Sequence, residues 1–78
     1  MYGLTSADFE ALSTSQDGRC AICGDAPDML HIDHDHDRQE IRALLCGPCN
    51  RMLGLAHDDP RRLAAGIRYL ADHGCPLE

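Results

Sequence analysis

At 78 residues the chain has room for one domain, near the size at which an apolar core alone gives little net stability. It has three aromatic residues, Tyr2, Phe9 and Tyr69, no Trp and five cysteines, so it needs a staple, and zinc or disulfides are the usual ones. A formal net charge of −6 argues against the basic patch of a typical DNA-binding domain, and the absence of a secretory leader or a long apolar run argues against secretion and membrane insertion.

In chain order, Thr5-Ser6-Ala7-Asp8 reads as a helix start, with Thr5 as cap and Asp8 three residues on. Phe9 and Leu12 are then expected to share a buried face through about Ser13. Gln16-Asp17-Gly18 breaks the helix and delivers the chain to Cys20-Ala21-Ile22-Cys23-Gly24, a zinc-knuckle turn. Leu30 to Asp33 reads as a short strand with Leu30 and Ile32 facing one way, Asp35 to Gln39 as a polar turn, and Ile41 to Leu45 as the returning strand. Pro48 falls in a first helical turn, and the helix runs through Arg51, Met52 and Leu53 toward Gly54. The last helix is the clearest: Asp59 caps it, Pro60 is its first residue, Leu63, Ala64, Ile67, Leu70 and Ala71 form one apolar face, and Gly74 and Pro76 end it.

The cysteines carry the first chemical signal. Without a leader, a reducing cytosol fits best, and there paired cysteines are more often metal ligands than disulfides. A Cys-x-x-Cys turn sets two sulfurs on one edge of a tetrahedron, and Cys20, Cys23, Cys46 and Cys49 supply two such edges, 22 residues apart. Four thiolates close the coordination sphere, so this zinc is structural. An iron–sulfur centre also takes four thiolates, but the neighbouring Asp, His and Asn residues favour zinc. Cys75 is left over.

A second signal is the run Asp33-His34-Asp35-His36 between the Cys pairs, with Asn50 directly after Cys49. A magnesium-type ion wants hard oxygen ligands; Asp33 offers a carboxylate and Asn50 an amide oxygen. Histidine as a residue type has an unperturbed pKa near neutrality, which makes His34 a candidate general base. Asp33 and His34 are neighbours and would point apart in a regular strand, so both can face one site only near a strand end. Taken singly, these residues also read as a solvated loop and a helix start. All seven basic residues are Arg, whose planar fork suits phosphate, although a GC-rich genome would explain most of the missing Lys. Arg42 and Arg51 fall nearest the site and are the nucleic-acid-binding candidates; Arg61, Arg62 and Arg68 belong to a solvated helix face.

Tyr2-Gly3-Leu4-Thr5, Cys20-Ala21-Ile22-Cys23-Gly24, Ile32-Asp33-His34-Asp35-His36, Ile41-Arg42-Ala43-Leu44-Leu45-Cys46 and Cys49-Asn50 together resemble the recombination endonuclease VII family, of the HNH or ββα-metal nucleases. The resemblance covers about residues 2 to 72. It implies a small α+β, zinc-bound domain over residues 1–78: a treble-clef-like ββα-metal core at about 18–55, flanked by an N-terminal helix and a C-terminal helix at about 60–73. It implies an endodeoxyribonuclease that hydrolyses DNA phosphodiesters to 5′-phosphate and 3′-hydroxyl ends with Mg²⁺ or Mn²⁺. By position Asp33 and Asn50 match the ligands of the catalytic ion, His34 the general base, His36 a second active-site histidine, and the four cysteines the structural zinc ligands. The location expected is cytoplasmic, in the host if the chain is phage-encoded. The junction-resolving member carries a long helical region after its zinc domain; here 29 residues follow Cys49, so an intertwined dimer is not expected. Two other readings stand beside the nuclease: a non-catalytic zinc-binding interaction module, which the acidic charge favours, and a nicking or RNase component of a larger phage-type assembly.

Overall fold

The structure, a computed structural model, describes residues 5–35, 37–38 and 40–75. The element order is α1 (Ser6–Ser15), β1 (His31–Asp35), β2 (Glu40–Leu45), α2 (Gly47–Leu55) and α3 (Pro60–Asp72). The expected Tyr2-Gly3-Leu4 start, His36, Gln39 at the end of the expected turn and the Pro76 stop lie outside the described residues.

Thr5 caps α1 in both directions: its hydroxyl accepts from the Asp8 amide at 3.1 Å, and the Asp8 carboxylate accepts from the Thr5 amide at 3.1 Å. The helix runs two residues beyond the expected Ser13, and the chain leaves it through left-handed Asp17 (φ 56°) and Gly18 (φ 68°). Contrary to the expected buried face, α1 buries no residue; Phe9 and Leu12 are half-buried.

β1 and β2 form an antiparallel two-stranded sheet. β1 starts one residue later than expected and continues through Asp35, so the turn begins further on. Asp35 then shapes that turn, its Oδ1 accepting from the amides of Asp37 at 2.9 Å and Arg38 at 3.0 Å. Contrary to the expected strand end, Asp33 and His34 stand inside the strand, so the irregular step between them, not a chain end, is what departs from regular alternation. The ladder between them is irregular: Asp33 pairs with Ala43 and His34 with Ile41, leaving Arg42 as the extra residue of β2.

The core lies at the far end of the hairpin. Leu45, Cys20, Cys46 and Cys49 form one buried cluster with Leu30 and Leu53 packed on it, and Leu44, the neighbour of Leu45 on β2, is fully buried outside that cluster. Gln16, read from sequence only as a helix breaker, closes the outer edge of β2. Its side-chain amide donates to the Leu44 carbonyl at 3.0 Å and accepts from the Leu44 amide at 3.0 Å, as a third strand would.

α3 begins at the expected Pro60 and ends at Asp72, just before the expected Gly74. Asp59 accepts from the Arg61 amide at 2.9 Å, and at the other end the Cys75 amide reaches back to the Leu70 carbonyl at 2.8 Å across left-handed Gly74. Its apolar face, however, lies open: Ile67, Tyr69 and Leu70 are each more than half exposed, and α3 buries no residue. The radius of gyration, 14.3 Å, exceeds the roughly 11.5 Å of a compact domain of this length, as a projecting helix requires. Among the described residues no helix is long and apolar enough to cross a membrane.

Candidate metal centre and hairpin site

Each Cys pair is shaped by its own backbone. In the first, the Gly24 amide donates to the Cys20 carbonyl at 3.1 Å, Gly24 is left-handed (φ 80°), and the Ile22 and Asp25 amides point at the sulfurs of Cys20 (3.4 Å) and Cys23 (3.5 Å). The Ala21 amide ties this turn to the Leu44 carbonyl at 3.1 Å. In the second pair Cys46 is the N-cap of α2, its sulfur accepting from the Cys49 amide at 3.4 Å, with Pro48 in the first turn. Amides aimed at sulfur stabilise thiolate, which is the form that binds metal.

The four sulfurs all lie within 4.8 Å of one another, and those of Cys23 and Cys46 are 3.7 Å apart. A tetrahedron with arms of about 2.3 Å has edges of about 3.8 Å, so the cluster could hold a zinc ion. Burial pushes the Cys20 thiol up, but the amides of Cys46, Cys23 and Ile22 outweigh it and bring it down to about 6. Burial, joined by the Cys46, Cys20 and Cys23 sulfurs, pushes Cys49 up to about 12. At Cys23 the Asp25 amide pulls down, but burial and the Cys46 and Cys20 sulfurs together carry the thiol upward. The setting therefore favours thiolate at Cys20 and the protonated thiol at Cys23 and Cys49, a cost that a cation seated among the sulfurs would offset. Cys75 is exposed and outside the cluster.

The other end of the hairpin is charged. Asp33 carries its carboxylate from β1 into a two-pronged pair with Arg42: Nε donates to Oδ2 at 2.6 Å and Nη2 to Oδ1 at 3.0 Å. The same Nη2 reaches Asp58 Oδ2 at 3.3 Å. The bulge explains the geometry. In a regular ladder Arg42 would stand opposite His34 and share its face; as the extra residue it turns to the face of Asp33. The flanking carboxylates of Asp33 and Asp58 raise Arg42 further above its usual range, against a smaller opposing contribution from burial. Asp35 is held below the usual carboxylate range, chiefly by the Arg38 amide. A cleft of about 440 Å³ opens here, lined by Asp35, Asp37, Arg42, Gly54, His57 and Asp58.

The sequence-predicted residues divide accordingly. The four cysteines come together. Asp33 and His34 are half-buried on β1, Asn50 is half-buried on the first turn of α2, and α2 packs against β1. His36 lies outside the described residues. Arg42, expected at phosphate, is engaged with Asp33 and Asp58. Arg51 lies with His31 over Gly47 at the start of α2, where a Cβ on Gly47 would come within 3.3 Å of Arg51 Nη1 and 3.6 Å of His31 Nε2. Among the described residues the four cysteines form the single group of three or more His, Cys, Asp or Glu side chains close enough to share an ion. The donor types of Asp33 and Asn50, a carboxylate and an amide oxygen, suit a hard divalent ion, but both oxygens of Asp33 already have a cationic partner. Asp58 is the participant that sequence reasoning missed; its carboxylate is 16 residues from Arg42 and belongs to no motif.

The family model of recombination endonuclease VII matches residues 1–72. No curated protein and no solved structure matches the chain. A match over that span places the chain in the recombination endonuclease VII family, with the nuclease role that the family's description carries.

Proposed function

We propose that this member of the recombination endonuclease VII family is a small HNH-type endonuclease that hydrolyses DNA phosphodiesters with a divalent ion. The zinc-type cluster is its structural centre, and the charged end of the hairpin is its active site. The observation that carries the reading is the packing of α2 against β1 beside the cysteine cluster: it makes adjoining elements of those bearing Asp33 and His34 on one side and Asn50 on the other, in a chain of this family. Asp33 and Asn50 would hold the ion, Mg²⁺ or Mn²⁺. When bound, such an ion supplies charge stabilisation on the scissile phosphate and its leaving 3′-oxygen. His34 takes a proton from water aligned behind phosphorus; the water oxygen bonds to phosphorus as the bond to the 3′-oxygen breaks, and that oxygen takes a proton from solvent, which leaves a 5′-phosphate and a 3′-hydroxyl. His36 is the second histidine of the site, and Arg51 contacts backbone phosphate.

The test is cleavage of supercoiled, linear and branched DNA with and without Mg²⁺ or Mn²⁺. A general base contributes about 10²–10⁴-fold, so His34→Ala loses activity on that scale while keeping its zinc. Asp33→Ala abolishes cleavage, and Asn50→Ala does less damage, part of which returns at higher metal concentration. Cleavage by His34→Ala at the wild-type rate would remove the assigned base.

The pairing of both Asp33 oxygens with Arg42, together with the net charge of −6, favours a second reading: a zinc-binding interaction module that keeps the fold without the chemistry. A wild-type protein that cleaves no form of DNA with either ion establishes that reading.

A further inference from the structure

Arg42 is placed by two independent features of the fold. The first is the bulge, which takes Arg42 out of register with His34 and turns it to Asp33. The second is the end of α2, where His57 (φ 57°) and Asp58 (φ 54°) are consecutive non-glycine residues in the left-handed region. Such residues persist where surrounding bonds hold them; here the Asp58 amide donates to the Leu53 carbonyl at 2.8 Å and the His57 amide to the Gly54 carbonyl at 3.0 Å. The outcome of this strained exit is a second carboxylate on the same Nη2 of the guanidinium that Asp33 engages.

We infer that Arg42 is an internal counter-cation that shuttles between two carboxylates, holding Asp33 while no divalent ion is bound and moving to Asp58 when Asp33 takes one. The inference rests on the reading of Asp33 as an ion ligand and makes Arg42 a positioning residue for that ligand.

Three observations support the exchange. Arg42 Nη2 already bridges the two acids, at 3.0 Å from Asp33 and 3.3 Å from Asp58, so the shift needs little travel. The cleft beside it is lined by both Arg42 and Asp58 and has volume for the guanidinium to move into. The acids also differ in cover: the Asp33 side chain is 12% exposed and that of Asp58 is 37% exposed. A covered carboxylate without a cation is the costlier of the two, which explains why Arg42 engages Asp33 with two bonds and Asp58 with one. An ion on Asp33 supplies that charge itself and repels the guanidinium, leaving Asp58 as the acceptor within reach. The device lowers apparent ion affinity by the fraction of molecules in which Asp33 is occupied by Arg42.

The experiment measures Mn²⁺ affinity by electron paramagnetic resonance on the zinc-loaded full chain, without DNA. Arg42→Gln removes the counter-cation and is expected to tighten Mn²⁺ binding by about tenfold, a population-shift effect. Arg42→Lys keeps the charge but cannot fork onto both oxygens, and it too is expected to bind Mn²⁺ more tightly than wild type. Asp58→Asn removes the alternative acceptor and is expected to weaken Mn²⁺ binding several-fold, roughly the inverse population shift; in the Arg42→Gln background the same substitution is expected to have little effect. Wild-type affinity in Arg42→Lys, or an Asp58→Asn effect undiminished in the Arg42→Gln background, would show that charge alone acts and would overturn the shuttle. Asp33→Asn separates the two levels of the argument. If it abolishes Mn²⁺ binding while the Arg42 variants leave the affinity unchanged, the shuttle fails and the ion site stands. If Asp33→Asn binds Mn²⁺ as wild type does, the ion-site reading fails and the shuttle falls with it.

Discussion

The two ends of one β-hairpin are built on opposite principles. At the end reached by Leu44, Leu45 and Cys46 the side chains are buried, the backbone is tied to α1 through Gln16, and four sulfurs converge. At the other end Asp35, Arg42 and Asp58 line an open cleft and Asp33 pairs with Arg42, held by ion pairs and a turn rather than by apolar packing. The difference is a division of labour. A chain of this size has too little core to stabilise both ends, so its burial is concentrated at the cysteines and the charged end is held by polar contacts.

The comparison is broken most directly at the cysteines. Structural zinc contributes on the order of 10–16 kcal/mol in small zinc peptides, at or above the roughly 5–15 kcal/mol by which whole domains are stable. Cys46→Ser, or chelation of the wild type, is expected to abolish the folded state, read by circular dichroism, with zinc content falling from about one per chain to near none. A folded, metal-free protein would show that the staple lies elsewhere. Zinc loading also has a pH signature. Near neutral pH Cys20, at about 6, is already thiolate and releases almost no proton, whereas Cys23 and Cys49, both raised, release one each. As the pH falls through about 6, Cys20 takes up its proton, so loading then releases one more and affinity drops more steeply. Calorimetry in buffers of different ionisation enthalpy counts those protons, and a count unchanged across that range would contradict the depressed Cys20.

Next in size is Leu44→Ala, at the one large side chain fully buried among the described residues. A cost of about 2–5 kcal/mol is expected by urea unfolding of the zinc-loaded protein. A cost below about 1 kcal/mol would mean that the burial of Leu44 adds little to the stability of this end of the hairpin.

Gln16→Ala follows. It leaves the Leu44 amide and carbonyl on the outer edge of β2 without their side-chain partners, for an expected loss of about 1–3 kcal/mol. Gln16→Glu sharpens the reading, because a carboxylate can accept from the amide but cannot donate to the carbonyl; an intermediate loss is expected.

How much of each end could be read from sequence follows from the range of the interactions. The Cys-x-x-Cys turns, the Thr5–Asp8 box and the Asp59-Pro60 start are local, and each appears where the residues indicate. β1 overran its expected end because Asp35 is both the last strand residue and the acceptor for the turn amides. The pairing of Asp33 with Arg42 depends on a one-residue bulge, and that of Arg42 with Asp58 on a left-handed exit from α2 with no glycine to announce it. The apolar face of α3 was legible as a face, but whether anything covers it was not; here it lies open.

The smallest effect expected is that of Cys75→Ser, and it tests whether place or chemistry chooses the ligands. Cys75 has the same thiol as the other four. What it lacks is their setting: it is exposed beyond α3, away from the amides that point at the Cys20, Cys23 and Cys46 sulfurs and from the buried layer around Leu45. Its backbone amide closes α3 on the Leu70 carbonyl at 2.8 Å, a bond that Ser keeps. The substitution is therefore expected to leave zinc content unchanged and stability within about 0.5 kcal/mol of wild type, by elemental analysis and urea titration. Loss of zinc would mean that the tail supplies a ligand and that one of the four clustered cysteines does not.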